Sequence, residues 1–328
     1  MKILAVDDDP IILELLIEVL RAAGFVNLKV CNSANEALDE IDRAHVPFDC
    51  FLLDIQMPKI DGIELTRHLR RIDEYRNSPI LMITAMSDRS YMDKAFHAGA
   101  SDYITKPFDV LEIHSRLRLI ESLLAECRSL EERNPTTRLN SPASIITSAD
   151  LEKRLPLQEI DGFIDYLALE NYILRIPRGA LFGMIAVGIV VPDMARAFRS
   201  SSVFEFEAGV SDFAEAISEC LKPKAFFASH AGAGHFVCVL TNASAFALDT
   251  FEAQLKLTVR EMDLHFCDGR AISLTPVVGE SISLQLKSSR GISNALLQAL
   301  QSAEARALSP DPKDRTSPSK LIRLLGLG

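Results

Sequence analysis

Phe48-Asp49-Cys50-Phe51-Leu52-Leu53-Asp54-Ile55-Gln56-Met57-Pro58 is the stretch whose reading decides the fold. Its apolar run reads as a buried strand that ends on one carboxylate, Asp54. A turn follows at Pro58 and Asp61-Gly62. A charge at the end of an apolar strand is costly unless something holds it. In an open α/β sheet, ligands and chemistry collect at the carboxyl ends of the strands. Asp54 is therefore the first candidate site residue.

The same strand-loop-helix unit recurs on either side. Lys2–Val6 is a short apolar run followed by Asp7-Asp8-Asp9-Pro10. Pro10 stands where a helix begins, and Ile11–Ala23 continues at helical spacing to Gly24. Val26–Cys31 predicts a strand, and Ser33–Ala44 a helix with Ser33 as N-cap. Gly62–Arg71 is the helix after the Asp54 strand, Pro79–Thr84 the fourth strand and Ser90–Ala98 the fourth helix. Asp102–Ile104 is a short fifth strand, and Lys106-Pro107-Phe108 leads to a long helix from Val110. Five βα units within residues 1–125 predict a doubly wound (βα)5 parallel sheet.

In that architecture Asp7, Asp8, Asp54, Thr84 and Lys106 all follow strands and converge on one sheet edge. Asp8 and Asp54, with Asp7 beside them, make an oxygen-rich site suited to Mg2+. Such an ion neutralises charge as a phosphoryl group moves to Asp54. Lys106 supplies a point charge for phosphate oxygens, and Thr84 a hydroxyl. One Asp after a strand is ordinarily a cap or turn residue; five residues of fitting type at successive strand ends form a constellation.

At 328 residues, 48% hydrophobic and 24% charged, the chain is long enough for two globular domains. Its net charge of −10 argues against broad electrostatic attraction to nucleic acid or anionic lipid, so neither is expected as a partner. Cys31, Cys50, Cys127, Cys220, Cys238 and Cys267 form no CxxC pair, and no signal peptide precedes the first strand. Reduced thiols and a cytoplasmic location are expected. The apolar run Ala180–Val191 is too short to span a bilayer.

Residues 1–125 resemble the receiver domain of bacterial two-component response regulators. The matching motifs are Val6-Asp7-Asp8-Asp9-Pro10, Leu53-Asp54-Ile55-Gln56-Met57-Pro58, Asp61-Gly62, Thr84-Ala85, Ala98-Gly99-Ala100 and Tyr103-Ile104-Thr105-Lys106-Pro107-Phe108. The resemblance implies that Asp54 is the phospho-acceptor. Asp7 and Asp8 would hold Mg2+ together with the backbone carbonyl of Gln56. Thr84 and Tyr103 would be the switch pair, and the Lys106–Pro107 bond would be cis. A histidine kinase or phosphotransfer protein would be the donor, and a downstream signalling protein the recipient.

Residues 126–160 read as a helical extension and linker. Ile113, Leu117, Ile120, Leu124 and Cys127 recur at spacings of 4, 3, 4 and 3, a heptad seam in a helix reaching about Arg133. Ile113–Ile120 is assigned to packing on the sheet. Leu124, Cys127 and Leu130 are placed past the sheet edge. There they either pair with a second copy, giving a homodimer through Leu117–Leu130, or dock on the second domain. Asn134–Ser148, with Pro135 and Pro142, is a linker.

Residues 161–308 predict an α+β domain. Helices are expected over Ile160–Leu174, Val210–Leu221, Ala245–Glu261 and Ile292–Ala307, and strands over Leu181–Val191, Ala225–Ala228, Phe236–Leu240 and Ala271–Val278. Ser229–His235 reads as a glycine-rich hairpin turn. With no Cys/Asp/Glu cluster near them, His230 and His235 read as exposed turn histidines rather than metal ligands. Gly232-Ala233-Gly234 could cradle a phosphate through backbone N–H groups, although a small-residue turn needs no ligand.

The order of these elements resembles the GGDEF domain that makes cyclic di-GMP, with Ala231–Leu240 at its signature hairpin. Where that signature reads Gly-Gly-Asp-Glu-Phe, this chain reads Gly232-Ala233-Gly234-His235-Phe236. The family's metal-binding Asp falls at about Gly188, and its Arg-x-x-Asp inhibitory motif at Pro223-Lys224-Ala225-Phe226. Cyclase chemistry needs metals held by carboxylates. The expectation is a degenerate GGDEF-like domain with no enzyme activity, acting through protein contacts. The alternative is a diguanylate cyclase-like enzyme or a guanine-nucleotide-binding regulator. A transcription regulator is disfavoured because no helix-turn-helix with a basic recognition helix is visible. In the tail, 309–328, a Pro/Ser-rich flexible stretch ends in the apolar Leu321–Gly328, which either docks elsewhere or folds back.

Overall fold

A computed structural model describes residues 1–85, 89–107, 109–133, 146–199, 201–222, 224–241, 243, 246–285 and 289–308, with 126–133 and 289–290 as backbone alone. The tail, most of the linker, and the side chains of Cys127 and Leu130 lie outside the described residues. The chain divides into two compact units, Met1–Leu139 and Asn140–Gly328.

In the first unit β1 (Ile3–Val6) leads to α1 (Pro10–Ala22). The Asp9 carboxylate caps this helix by accepting the Ile11 N–H at 2.8 Å. Pro10 occupies the first turn, where its missing donor costs nothing. There follow β2 (Leu28–Cys31), α2 (Ala34–Asp42) and β3 (Cys50–Asp54). The unit continues with α3 (Gly62–Arg71), β4 (Ile80–Thr84), α4 (Arg89–His97), β5 (Asp102–Thr105) and α5 (Val110–Arg133). The sheet order is β2-β1-β3-β4-β5, every neighbouring pair parallel. β1, β3 and β4 are buried along their whole length, as a sheet covered on both faces requires.

Ile113, Leu117 and Ile120 of α5 are buried against Ile3, Ala5, Leu52, Ile83 and Ile104. Leu124 packs on the same cluster, which corrects its expected place beyond the sheet edge: the helix stays in contact one turn farther. Arg116 ties α5 to β5 through Asp102 and also pairs with Glu112.

The second unit contains α6 (Ser148–Glu152), α7 (Tyr166–Arg175), β6 (Ile185–Val190) and α8 (Met194–Ala197). It goes on through α9 (Val203–Leu221), β7 (Phe226–Gly232), β8 (His235–Leu240) and α10 (Leu248–Glu261). β9 (Val277–Val278), β10 (Ile282–Ser283) and α11 (Ser289–Leu308) complete it. The sheet order is β10-β6-β8-β7, with β9 also on β6, and every pairing is antiparallel. Phe163, Phe206, Phe213 and Phe236 fill its core with Val187, Ile189 and Leu255. Buried Glu252 on α10 takes Lys256 at 2.7 Å and Arg306 of α11 at 3.2 Å, joining the two helices through one carboxylate.

Several elements differ from expectation; α9, for one, begins at Val203 rather than Val210. The helix read from Ile160 starts only at Tyr166, capped by Asp165, because Gly162 is left-handed at φ 79°. Residues 162–164 run beside β7 instead: Ala228 N–H donates to the Gly162 carbonyl at 2.8 Å, and Ile164 N–H to that of Ala228 at 2.9 Å. The strand read from Leu181 begins at Ile185, after a 3-10 turn over Arg178–Leu181. Of the strand read over Ala271–Val278, only Val277–Val278 joins the sheet. Ile272 bonds to Leu264 at 2.7 Å, and Pro276 has no N–H to offer a ladder. Among the described residues no helix is long and apolar enough to cross a membrane, and Cys31, Cys50, Cys220, Cys238 and Cys267 are free.

Candidate functional site

Because β1, β3, β4 and β5 are parallel, their carboxyl ends share one edge. Asp7 directly follows β1 and is fully buried; Asp54 ends β3 and is 4% exposed; Asp8 is exposed. One carboxylate oxygen of each lies within 4.8 Å of the others. Lys106, just after β5, places Nζ 2.6 Å from Asp7 Oδ2 and 2.6 Å from Asp54 Oδ1. Its own backbone N–H donates to the Thr84 carbonyl at 2.6 Å, so the end of β4 fixes the base of the lysine. Asp7 Oδ1 accepts the Asp9 N–H at 3.0 Å.

Gly62 makes this compact turn possible. A Cβ there would stand 2.0 Å from the Asp54 carbonyl oxygen. Its N–H donates to the Ile55 carbonyl at 3.0 Å, folding the loop back over the strand end. Lys59 in the same loop is left-handed at φ 72°, a conformation uncommon outside glycine. Thr84 is 2% exposed; Tyr103, on the next strand, is 7% exposed with its ring edge-on to Phe96 at 6.3 Å. The Lys106–Pro107 bond is cis.

Three carboxylates face one ammonium, leaving two formal negative charges. Burial pushes the Asp54 carboxyl above its ordinary value; Lys106 pulls it back only in part, and Asp7 adds repulsion. Burial alone would lower the Lys106 ammonium, but its bonds to Asp54 and Asp7 outweigh that and hold it raised. An isolated ion pair would lower its acid. Here burial outweighs Lys106, whose single charge is shared with Asp7, and that is why Asp54 stays high. An all-oxygen donor set with surplus negative charge fits a hard divalent cation.

The sequence-predicted residues Asp7, Asp8, Asp54 and Lys106 thus meet, with Thr84 at the neighbouring strand end. The side chain of Gln56 is exposed, and Tyr103 packs one strand away. Asp9 and Gly62 contribute more than sequence reasoning gave them. Asp9 both caps α1 and orients Asp7, and Gly62 clears space for the Asp54 backbone.

In the second unit the hairpin is tighter than expected. β7 runs on to Gly232, leaving Ala233 (φ 51°) and Gly234 (φ 73°) as a two-residue turn of the primed type. His230 is therefore a strand residue, 2% exposed, which corrects its reading as an exposed turn histidine. Its Nδ1 accepts the Leu155 N–H at 3.0 Å and its ring lies 5.0 Å from that of Phe236. Nε2 finds no hydrogen-bond partner among the described residues. Burial first, then the charges of His235 and Arg154, push His230 down to about 3. His235 is half-buried, with Nδ1 3.1 Å from the Gly232 carbonyl oxygen. Its Nε2 is 2.8 Å from Glu304 Oε1, outside hydrogen-bonding geometry. The Ala233 N–H, one of the candidate phosphate donors, is taken by the Leu151 carbonyl at 2.7 Å.

Residues 3–118 match the family described as the response regulator receiver domain, so the first unit is a receiver domain. Among curated proteins the chain is similar to the DNA-binding dual master transcriptional regulator RpaA of Synechocystis sp., 37% identical over 120 residues, which are 36% of this chain and 48% of that protein. The response regulator MprA of Mycobacterium leprae is 38% identical over 120 residues, 37% of this chain and 50% of the relative. The transcriptional regulatory protein CpxR of Escherichia coli is 38% identical over 119 residues, 36% and 48% respectively. The chain thus spans about half the length of these relatives. They overturn the exclusion of nucleic acid drawn from the acidic balance. RpaA is a DNA-binding regulator, and a net charge summed over the whole chain does not describe any one surface.

Proposed function

We propose that this chain is a two-component response regulator in which Asp54 accepts a phosphoryl group and the second unit reads out its state. The observation that carries this reading is the Lys106 ammonium set 2.6 Å from both Asp7 and Asp54, beside exposed Asp8, within a receiver domain. The Asp54 carboxylate attacks the phosphorus of a phosphohistidine on a kinase or phosphotransfer protein; the P–O bond forms as the P–N bond breaks and imidazole leaves. Held by Asp7, Asp8, Asp54 and the Gln56 carbonyl, Mg2+ would screen the charge that gathers on the transferring group. Lys106 then pairs with phosphoryl oxygens, the Thr84 hydroxyl bonds to another, and Tyr103 follows, so a local charge change biases a two-state face.

Incubation with acetyl phosphate and Mg2+ tests the assignment. Acid-labile phosphate is expected on the native chain and none on Asp54→Asn; labelling that persists in the variant sinks it.

The second unit is read as a GGDEF-like domain without cyclase chemistry. Its antiparallel sheet with a tight β7–β8 hairpin supports the first part. The second rests on Gly234 and His235 in the signature and on Gly188. A Cβ at 188 would stand 2.2 Å from the Ala299 carbonyl oxygen, so no carboxylate fits where that family carries its metal ligand. GTP with Mg2+ is expected to give no cyclic di-GMP, and clear product refutes it. The names of RpaA and CpxR favour a second reading, an output that acts on DNA. Retardation of DNA fragments by the phosphorylated chain, and not by Asp54→Asn, would select it.

A further inference from the structure

The hairpin of the second unit is covered by its own chain. Residues 146–157 come in from the linker side, bury Ile146, Leu155 and Leu157 in the core, and cross the turn between these anchors. Within that crossing, α6 buries none of its residues and is held together by a local capping box between Thr147 and Asp150. Leu151 packs partly buried against the core, and the polar ties of the crossing to the hairpin are two hydrogen bonds. The Ala233 N–H donates to the Leu151 carbonyl at 2.7 Å, and the Leu155 N–H to His230 Nδ1 at 3.0 Å. Between these two bonds the chains meet backbone to backbone: a Cβ on Gly232 would lie 2.3 Å from the Glu152 carbonyl oxygen. Gly232, left-handed at φ 93°, thus serves the crossing segment as well as the turn.

A largely exposed helical turn fastened by two hydrogen bonds and one half-buried leucine is the least secured part of an otherwise buried contact, and such segments open locally ahead of global unfolding. While it is in place, no external anion or peptide reaches the Ala233 N–H or the open face of Gly232. Its position in the chain, immediately before the readout domain, lets a pull on the connector reach the hairpin directly.

We infer that residues 147–155 form a strap, an autoinhibitory cover that closes the hairpin tip from within and is released when Asp54 is phosphorylated. The release step rests on the phospho-acceptor reading above; the cover itself does not.

Hydrogen exchange on the full chain tests both. The Ala233 and Leu155 amides are expected to exchange together, at least tenfold faster than ladder amides of β7 and β8. Exchange at the ladder rate would show that the strap does not open separately and overturn the inference. Gly232→Ala should speed both amides a further tenfold or more. Leu151→Ala, which trims an apolar contact without straining the turn, should do so more mildly, with the ladder unchanged in each. Unaltered strap amides in Leu151→Ala with an intact ladder count against the cover. Finally, the chain is treated with acetyl phosphate and Mg2+, with bound phosphate measured in the same sample. Faster strap exchange, absent in Asp54→Asn, supports gating. Full phosphate with unchanged exchange refutes gating while sparing the receiver reading, and no phosphate at all removes both.

Discussion

Gly62 lies directly under the end of β3: the position a Cβ would take is 2.0 Å from the carbonyl oxygen of Asp54. Backbone, not a flexible side chain, blocks that position, so relief must come from moving the strand end that carries the carboxylate. Gly62→Ala is expected to destabilise the receiver domain by about 1–3 kcal/mol, as overpacking does. It should also lower phosphate incorporation at Asp54. Denaturant unfolding together with acetyl phosphate labelling checks this, and a variant with native stability and labelling would contradict it.

Lys106→Ala removes the only cation described between Asp7 and Asp54. Two buried acids then face each other, and the Asp54 carboxyl should rise further. Labelling by acetyl phosphate near neutral pH should fall about tenfold or more, a loss of about 1.4 kcal/mol in transition-state stabilisation. Initial labelling rates across pH 5–9 read the effect directly.

His230 gives the second unit an acid dependence. Its folded pKa of about 3 lies below the ordinary 6.5. As pH falls below about 6.5 the unfolded chain binds the proton first. The stability contribution is therefore complete above about pH 6.5 and is lost progressively toward pH 3, at no more than about 1.4 kcal/mol per pH unit. His230→Gln keeps an acceptor for the Leu155 N–H but does not titrate. Its stability should decline less steeply than that of the native chain over this window, in urea unfolding of the second unit.

Glu252→Ala leaves Lys256 and Arg306 without their shared buried carboxylate. Arg306 is 40% exposed and keeps the Val278 carbonyl, so the loss is smaller than for a fully buried pair, about 1–2 kcal/mol. Thermal unfolding should show this as a lowered second transition, with the receiver transition unmoved.

The receiver fold was legible because its signals are local: each strand end carries its polar residue within one or two positions, and Asp9-Pro10 and Ser33 mark the helix starts directly. The meeting of Asp7, Asp54 and Lys106 followed from topology once five βα units were counted. The second unit was harder because its decisive relations are not local. Nothing near Gly162 announces that the Phe226 ring will fill the space beside it. Nothing near Gly232 announces that Glu152 will cross over it. His230 looked exposed because the small residues around it suggested a wide turn; positive φ at Ala233 and Gly234 narrows that turn to two residues and puts His230 inside the sheet. The acidic net charge misled about partners for a related reason: it is a sum over the whole sequence, whereas recognition happens on patches.

The Lys106 ammonium bridges residues 99 and 52 positions away in the chain. Such long closures carry more loop entropy than local contacts do. On a ribosome, Asp7 and Asp54 emerge well before Lys106 does, and until residue 106 has left the exit tunnel and its strand has been laid down, the two acids have no counter-charge. A nascent or misfolded chain therefore presents Asp54 without the ammonium that accompanies it in the finished fold. With Asp54 as the proposed acceptor, competence to receive a phosphoryl group would depend on completion of the fold.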